Sequence, residues 1–190
     1  QQLVGRHRDR IQERVQRYGR VLDLLHKLTT QEGDMDYQVK VKQMEPQHVL
    51  SVRTNTTLAR MQETFGAAFG QLFGYLGRLG VKPAGPPFAV YHDPEFREDD
   101  IDVEICVPVE RQVTGDASMR GWQSPAGTAA CTIHAGSYDE VHNAYAALTP
   151  WIQAQGHAIA GPPREVYLVG PGEADDPAEY RTEILFPLEG

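Results

Sequence analysis

Apolar positions along the chain recur at two periods, and these periods predict alternating strands and helices. HVLSVRT (48–54) has the composition of a strand, and residues 57–79 then place apolar side chains at helical spacing. Gly80 follows as a residue suited to end a helix. GTAACTIHA (127–135) predicts a second strand. A second helix, closed by Gly156, is predicted by the apolar stripe of Val141, Tyr145, Leu148 and Ile152.

Four glycines fall on one face of the first predicted helix. They are Gly66, Gly70, Gly74 and Gly77. Glycine is a poor helix former, so a stripe of glycines needs a structural or functional reason. We expect close packing of this face against the sheet or the second helix, with a hinge or access to a pocket as the alternative.

The chain also repeats itself. AGPPFAVY (84–91) returns as AGPPREVY (160–167), and DVEICVPVE (102–110) aligns with TEILFPLE (182–189). Each half therefore has the order strand, helix, strand, strand. A single unit of this size buries too little apolar surface to be stable alone, which indicates that the two units pack together.

This duplication predicts one α+β domain over residues 36–190, with pseudo-twofold units at about 36–110 and 121–190. The strands are expected to form an antiparallel sheet with two helices on one face and a ligand groove on the other.

Residues 1–32 carry a different pattern, in which apolar residues are spaced four and three apart. The seam consists of Ile11, Val15, Tyr18, Leu22 and Leu25, with charged residues at the outer positions. This spacing predicts a long coiled-coil helix that pairs with a second copy of the chain to form a homodimer. The alternative is that the helix packs back on its own domain.

Glu104 and Glu183 occupy the same position of the two repeats, in the middle of predicted strands. Because strand residues alternate between faces, both carboxylates should point away from the helices. Tyr91 and Tyr167 are equivalent positions of the hairpin partners, and we expect them to meet the carboxylates in a common groove. Such a groove suits a flat organic cation. The alternative is a solvated strand face.

Glu183 raises a further question, since Arg181 is the only basic residue beside it in sequence. A buried carboxylate without a partner is costly. We therefore expect a cationic ligand to supply the partner.

Composition narrows the class of protein. The hydrophobic fraction is 41%, the charged fraction 23% and the net charge −8, which argues against nucleic-acid binding by this stretch. The two cysteines, Cys106 and Cys131, and the scattered histidines lack the spacing of a metal site and suit a reducing cytoplasm. The longest apolar run (65–80) is too short and too polar to span a membrane. Because the chain does not begin with Met, we expect it to be part of a longer protein.

The chain resembles a known family in several phrases, taken in order: DVEICVPV, HAGSYDEVHNAY, AGPPREVY and TEILFPL. Over residues 36–190 it is similar to a GyrI-like, or BmrR-type, effector-binding domain. The first 30 residues resemble the dimerisation helix that follows the DNA-binding domain of MerR-family regulators. No helix-turn-helix is present in this sequence, so the resemblance assigns DNA binding to an N-terminal domain outside the chain.

The resemblance implies that hydrophobic, often cationic or aromatic compounds bind in the groove. It assigns Glu183 to the base of the groove, and the repeat adds Glu104. The aromatic candidates are Tyr91, Tyr138, Tyr167 and Trp151.

Two functions follow from the resemblance. The first is a cytoplasmic ligand sensor of a transcription regulator, without catalytic residues, metal or cofactor. The second is a hydrolase of strained, DNA-alkylating cyclopropane compounds, as in some GyrI-like proteins. The predicted N-terminal coiled coil favours the sensor, because a freestanding hydrolase does not need it.

Overall fold

The computed structural model describes residues 37–93 and 97–190, which form eight strands and two α-helices. The coiled-coil helix predicted for residues 1–32 lies outside the described residues. The strands are β1 (Lys40–Met44), β2 (Gln47–Thr56), β3 (Phe88–Tyr91), β4 (Ile101–Val109), β5 (Arg120–Ser124), β6 (Gly127–Ala135), β7 (Arg164–Val169) and β8 (Arg181–Leu188), and the helices are α1 (Met61–Leu79) and α2 (His142–Ala154).

All eight strands form one antiparallel sheet in the order β1-β6-β8-β7-β3-β4-β2-β5. The two repeats meet at its centre, where β7 pairs with β3. Their registers are equivalent: Glu104 pairs with Val90 in the first repeat, and Glu183 pairs with Val166 in the second. The predicted fold class, a duplicated α+β unit on an antiparallel sheet, is confirmed.

Both helices pack on the same face of the sheet, as predicted. Leu72 of α1 shares a buried cluster with Ile105 of β4, and Leu148 of α2 shares a second cluster with Ile184 of β8. Ile105 and Ile184 are equivalent positions of the repeat. Each helix ends near a glycine with positive φ: Gly80 (φ 61°) follows α1, and Gly156 (φ 73°) comes after α2.

The glycine stripe of α1 does not pack closely against any described residue. A Cβ added at Gly66, Gly70 or Gly77 would meet no atom of the described residues within 4 Å, and at Gly74 it would only touch the side chain of Arg78. The expectation of tight packing against the sheet or α2 is therefore wrong. Within the described part of the chain, the glycines face open space.

Strands β1 and β5 were not predicted, and they form the two edges of the sheet. β1 lies at the start of the first repeat but pairs with β6 of the second repeat, while β5, at the start of the second repeat, pairs with β2 of the first. Just before β1, Tyr37 and Val39 pack against the core under α2. Tyr37 Oη lies 2.8 Å from Nδ1 of the buried His134 in β6.

The sheet is strongly curled. β5 lies at one edge and β6 next to the other, yet only Pro125 and Ala126 separate these strands in sequence. Because consecutive Cα atoms are about 3.8 Å apart, Ser124 and Gly127 lie within about 11 Å of each other. The helix-free face lies inside this curl, since one cavity on that face is lined by residues from β1, β5 and strands between them.

In the described ranges, the helices are too short or too polar to cross a membrane.

Candidate ligand-binding site

Strand β7 sends neighbouring charged residues to opposite faces of the sheet. Glu165 pairs with Ala89 of β3 and with Ile184 of β8, and both partners belong to the clusters under the helices. Glu165 therefore lies on the helix face. Its neighbours Arg164 and Val166 lie on the helix-free face, inside the curl.

Glu165 is a buried carboxylate held by three tyrosines. Glu165 is only 7% exposed to solvent. The hydroxyl of Tyr145, from α2, donates to Oε1 at 2.9 Å, and the hydroxyls of Tyr91 and Tyr167 donate to Oε2 at 3.1 and 3.2 Å. Among the described residues, no lysine, arginine or histidine forms an ion pair with this carboxylate.

Burial sets the protonation of the cluster. It raises the pKa of Glu165, whereas the hydrogen bonds from Tyr145, Tyr91 and Tyr167 lower that pKa. Burial also raises the pKa values of these three tyrosines well above their usual range, so all three stay protonated donors at neutral pH. Any negative charge in the cluster therefore resides on Glu165. A cation bound beside it would offset the cost of desolvating that charge.

Further aromatic rings extend the site outward. Tyr138, just before α2, and Phe65, on α1, both meet the ring of Tyr167 edge-on, with centroids 5.8 and 6.0 Å away. Tyr138 also lies 5.3 Å from the ring of Tyr180. The carboxylate thus lies beneath an aromatic cluster at the place where residues of both helices meet the central strands.

The structure brings together three residues proposed from sequence, Tyr91, Tyr138 and Tyr167, but it does not place them with Glu104 and Glu183. The registers pair these glutamates with valines of β3 and β7, so the next residue along each strand, the tyrosine, has the opposite orientation. The expectation of one groove shared by the tyrosines and both glutamates is therefore wrong.

Glu183 lies on the helix-free face and already has a cationic partner. Lys42 Nζ, from the edge strand β1, lies 2.5 Å from its Oε2. The expectation that a ligand must supply this partner is wrong, because β1 pairs with β6, the neighbour of β8, and brings Lys42 to Glu183.

Glu104 is also engaged within the protein. The Ser51 hydroxyl donates to its Oε1 at 2.6 Å, and His92 Nε2 lies 2.9 Å from its Oε2. Trp151, the last residue proposed from sequence, packs against the core under α2 and stacks on His157 at 6.3 Å. It packs against a different cluster from Tyr91 and Tyr167.

Sequence reasoning missed Glu165 and assigned Tyr145 only to the apolar stripe of its helix. A signal was present in the repeat itself, since AGPPFAVY becomes AGPPREVY by exchange of Phe88 and Ala89 for Arg164 and Glu165. No group of three or more His, Cys, Asp or Glu side chains in the described ranges is arranged to hold a metal ion.

Comparison with known families shows to which protein family the chain belongs. The sequence matches the GyrI-like small molecule binding domain over residues 37–189. The chain belongs to this family. No curated protein sequence matches the chain significantly.

Solved structures include two of EcmrR, a MerR-family regulator, that resemble this GyrI-like domain. The EcmrR–DNA complex in EcmrR-RPo is 28% identical with a TM-score of 0.75, and the match covers 100% of this chain and 72% of EcmrR. The EcmrR C-terminal domain is 31% identical with a TM-score of 0.70, covering 82% of this chain and 99% of that domain.

A more distant relative is SAV2435, solved bound to tetraphenylphosphonium, at 17% identity and a TM-score of 0.52, covering 82% of this chain and 95% of that protein. A hydrolase from Listeria innocua is 12% identical with a TM-score of 0.59, covering 80% and 92%. At these identities the two structures share the GyrI-like fold with this chain, and the likeness extends to the fold alone.

Proposed function

We propose that this chain is the ligand-sensing part of a MerR-type transcription regulator and that it binds a lipophilic aromatic cation at Glu165. One observation carries the proposal: a buried carboxylate held by three tyrosine hydroxyls, with no basic partner among the described residues. Strands and helices of both repeats contribute to this cluster, so residues from distant parts of the sequence converge on one carboxylate.

The cluster has the chemistry that a lipophilic cation requires. Glu165 supplies the charge, and its desolvation has already taken place in the folded protein. The rings of Tyr91, Tyr138, Tyr167 and Phe65 supply apolar contact and electron-rich faces. For a strongly hydrated cation such as an ammonium ion, desolvation would cost more free energy than the contacts with this site provide. A cation shielded by phenyl groups is weakly hydrated and would not have this cost.

Ligand access requires movement, because Glu165 is 7% exposed and the described cavities lie elsewhere. Tyr138 and Phe65 are half-buried, and both contact the ring of Tyr167. A ligand that passes between them would contact Tyr167 first and then reach Glu165. We therefore include Tyr138 among the binding residues, beside Tyr91, Tyr145 and Tyr167.

The wider assembly follows EcmrR. That protein was solved as a DNA complex, and its match to this chain covers 72% of its length. In our proposal DNA is bound by another domain of the regulator, two copies associate through the helix predicted for residues 1–32, and the protein acts in the cytoplasm. The heptad spacing of that segment supports the pairing.

The proposal is also that the chain is not an enzyme. Both oxygens of Glu165 accept hydrogen bonds from tyrosines, as expected for a group that binds a charge. The ligand should therefore be recovered unchanged after prolonged incubation, and chromatographic detection of a product whose formation is lost in Glu165→Gln would contradict this part of the proposal.

Calorimetric titration with tetraphenylphosphonium tests the binding site. Glu165→Gln keeps the size of the side chain and removes its charge, and it should weaken binding by about 1–3 kcal/mol. Glu183→Gln is the matched control, since it removes an equivalent charge on the opposite face, and it should bind with nearly the affinity of the unaltered chain. Neutral triphenylphosphine oxide should not distinguish the three proteins.

Equal affinity of Glu165→Gln and the unaltered chain for tetraphenylphosphonium would remove the basis of the proposal. A loss in Glu183→Gln instead would move the cation to the helix-free face.

A further inference from the structure

The inside of the curled sheet contains a cavity, on the face opposite the tyrosine cluster. Its volume is about 410 Å³, within the range of small-molecule sites. Apolar residues such as Met44, Val90 and Leu188 line part of it, and the lining also includes three basic residues: His92, Arg120 and Arg164. This basic lining contrasts with the net charge of −8 of the whole chain.

Arg164 is the central basic group of this cavity. It is half-buried, and its guanidinium lies 5.7 Å from the centroid of the Phe88 ring. Burial lowers the pKa of Arg164, while nearby Cys106 and Glu104 raise it. In the described part of the chain its guanidinium makes neither an ion pair nor a hydrogen bond, although it carries five donors. An anion that entered the cavity would offset this partial desolvation.

The wall beside Arg164 offers a ring face and a second cation. Arg120 lies over the ring of Trp122, with Cζ 5.9 Å from the centroid. The indole Nε1 of Trp122 donates to Ser51 Oγ at 2.9 Å, which fixes the orientation of the ring. The cavity therefore combines the oriented ring of Trp122 with two arginines.

Glu104 is the acidic residue of the lining, and its charge is already committed. Its Oε1 accepts from Ser51 and its Oε2 faces His92, so neither oxygen reaches the guanidinium of Arg164. The two arginines of the lining outnumber this one carboxylate. The cavity thus favours an anion.

We propose that this cavity is a second ligand site, specific for a small aromatic carboxylate. The carboxylate binds the guanidinium of Arg164, with Arg120 adding charge, and the aromatic ring packs against Trp122 and the apolar lining. The site is independent of the cation site, because the sheet separates Arg164 from Glu165, and the proposal does not rest on the function assigned to Glu165.

Calorimetric titration of the 190-residue chain with benzoate, 2-naphthoate and 4-phenylbenzoate tests the proposal. At least one of the three should bind, and Arg164→Gln should weaken it tenfold or more. Arg120→Gln changes an exposed side chain that does not endanger folding, and it should weaken binding by a smaller factor. The neutral amide of the same ring should bind the variants and the unaltered chain equally.

Arg78→Gln is the matched control, because Arg78 also lies over an aromatic ring, that of Tyr75, but on α1. It should leave carboxylate binding unchanged, as should Glu165→Gln. Failure of all three carboxylates to bind the unaltered chain at millimolar concentration would overturn the proposal. So would equal affinity of the unaltered chain, Arg164→Gln and Arg120→Gln.

Discussion

Ala89 and Glu165 are paired across the centre of the sheet, and they are also the same position of the two repeats. The duplication therefore brings its own two copies of this position face to face, one apolar and one acidic. The tyrosines that follow by two residues, Tyr91 and Tyr167, keep the symmetry and donate to the same oxygen, Oε2. Two equivalent tyrosines of the repeat thus bind one carboxylate, which is present in the second repeat alone.

Stability should depend on pH through Glu165. Burial raises its pKa in the folded chain above the unfolded value of about 4.3. Between these two pKa values the folded state binds more protons, so this group's contribution to the free energy of unfolding falls as pH rises. The slope is at most about 1.4 kcal/mol per pH unit.

Urea unfolding of the unaltered chain and of Glu165→Gln, from about pH 4.5 to about pH 8, measures this effect. The difference in free energy of unfolding between the two proteins should shift in favour of Glu165→Gln as pH rises, since Gln does not titrate. All other titratable groups are present in both proteins, so their contributions cancel in this difference. A difference independent of pH would show that Glu165 titrates alike in the folded and unfolded chains.

Tyr145→Phe should destabilise the chain more than Tyr75→Phe. Tyr145 donates to the buried Glu165, and a hydrogen bond to a charged group contributes about 1.5–3 kcal/mol. Tyr75 donates to the carbonyl of Thr114 at the surface, which is a neutral bond. The gap should narrow in acid, where Glu165 gains its proton. Equal losses for the two variants at every pH would contradict a charged acceptor.

Alanine should stabilise α1 at its exposed glycines. Gly66→Ala and Gly70→Ala meet no described atom within 4 Å, so each should raise the free energy of unfolding by about 0.5–1 kcal/mol through helix propensity. Gly80→Ala is the contrasting variant and should destabilise, because its φ of 61° is unfavourable for alanine. Destabilisation by Gly70→Ala would mean that this face is covered by atoms outside the described residues.

The N-terminal seam should hold a dimer. Leu22→Asp places a charge in the predicted seam and should yield monomers in sedimentation at about 20 µM. Gln16→Asp makes the same change of charge at an outer heptad position and should remain dimeric. A monomeric unaltered chain at that concentration would contradict the pairing.

The fold was predictable from sequence because two independent signals agreed. Apolar periodicity distinguished strands from helices, and the repeat of AGPP and of the glutamate strands fixed their order. The edge strands β1 and β5 were not predictable in the same way. They lie outside the duplicated phrases, and β1 pairs with a strand more than 80 residues away.

Of the site, only Tyr91, Tyr138 and Tyr167 were predictable from sequence. Alternation shows which residues of one strand share a face, but the register between strands decides which faces coincide. Tyr91 lies one residue beyond Val90, the partner of Glu104, and that single step separates the tyrosines from both predicted glutamates. The repeat is recognised by the residues that its copies share, whereas Arg164 and Glu165 occur where the copies differ.

Helix α2 touches both the candidate site and the start of the described chain. Tyr145 on one part of the helix holds Glu165, and the core under the same helix includes Tyr37 and Val39. A ligand that displaced the Tyr145 hydroxyl would therefore act on the helix whose core also includes Tyr37 and Val39. The candidate site and the start of the described chain share this helix, on one face of the sheet.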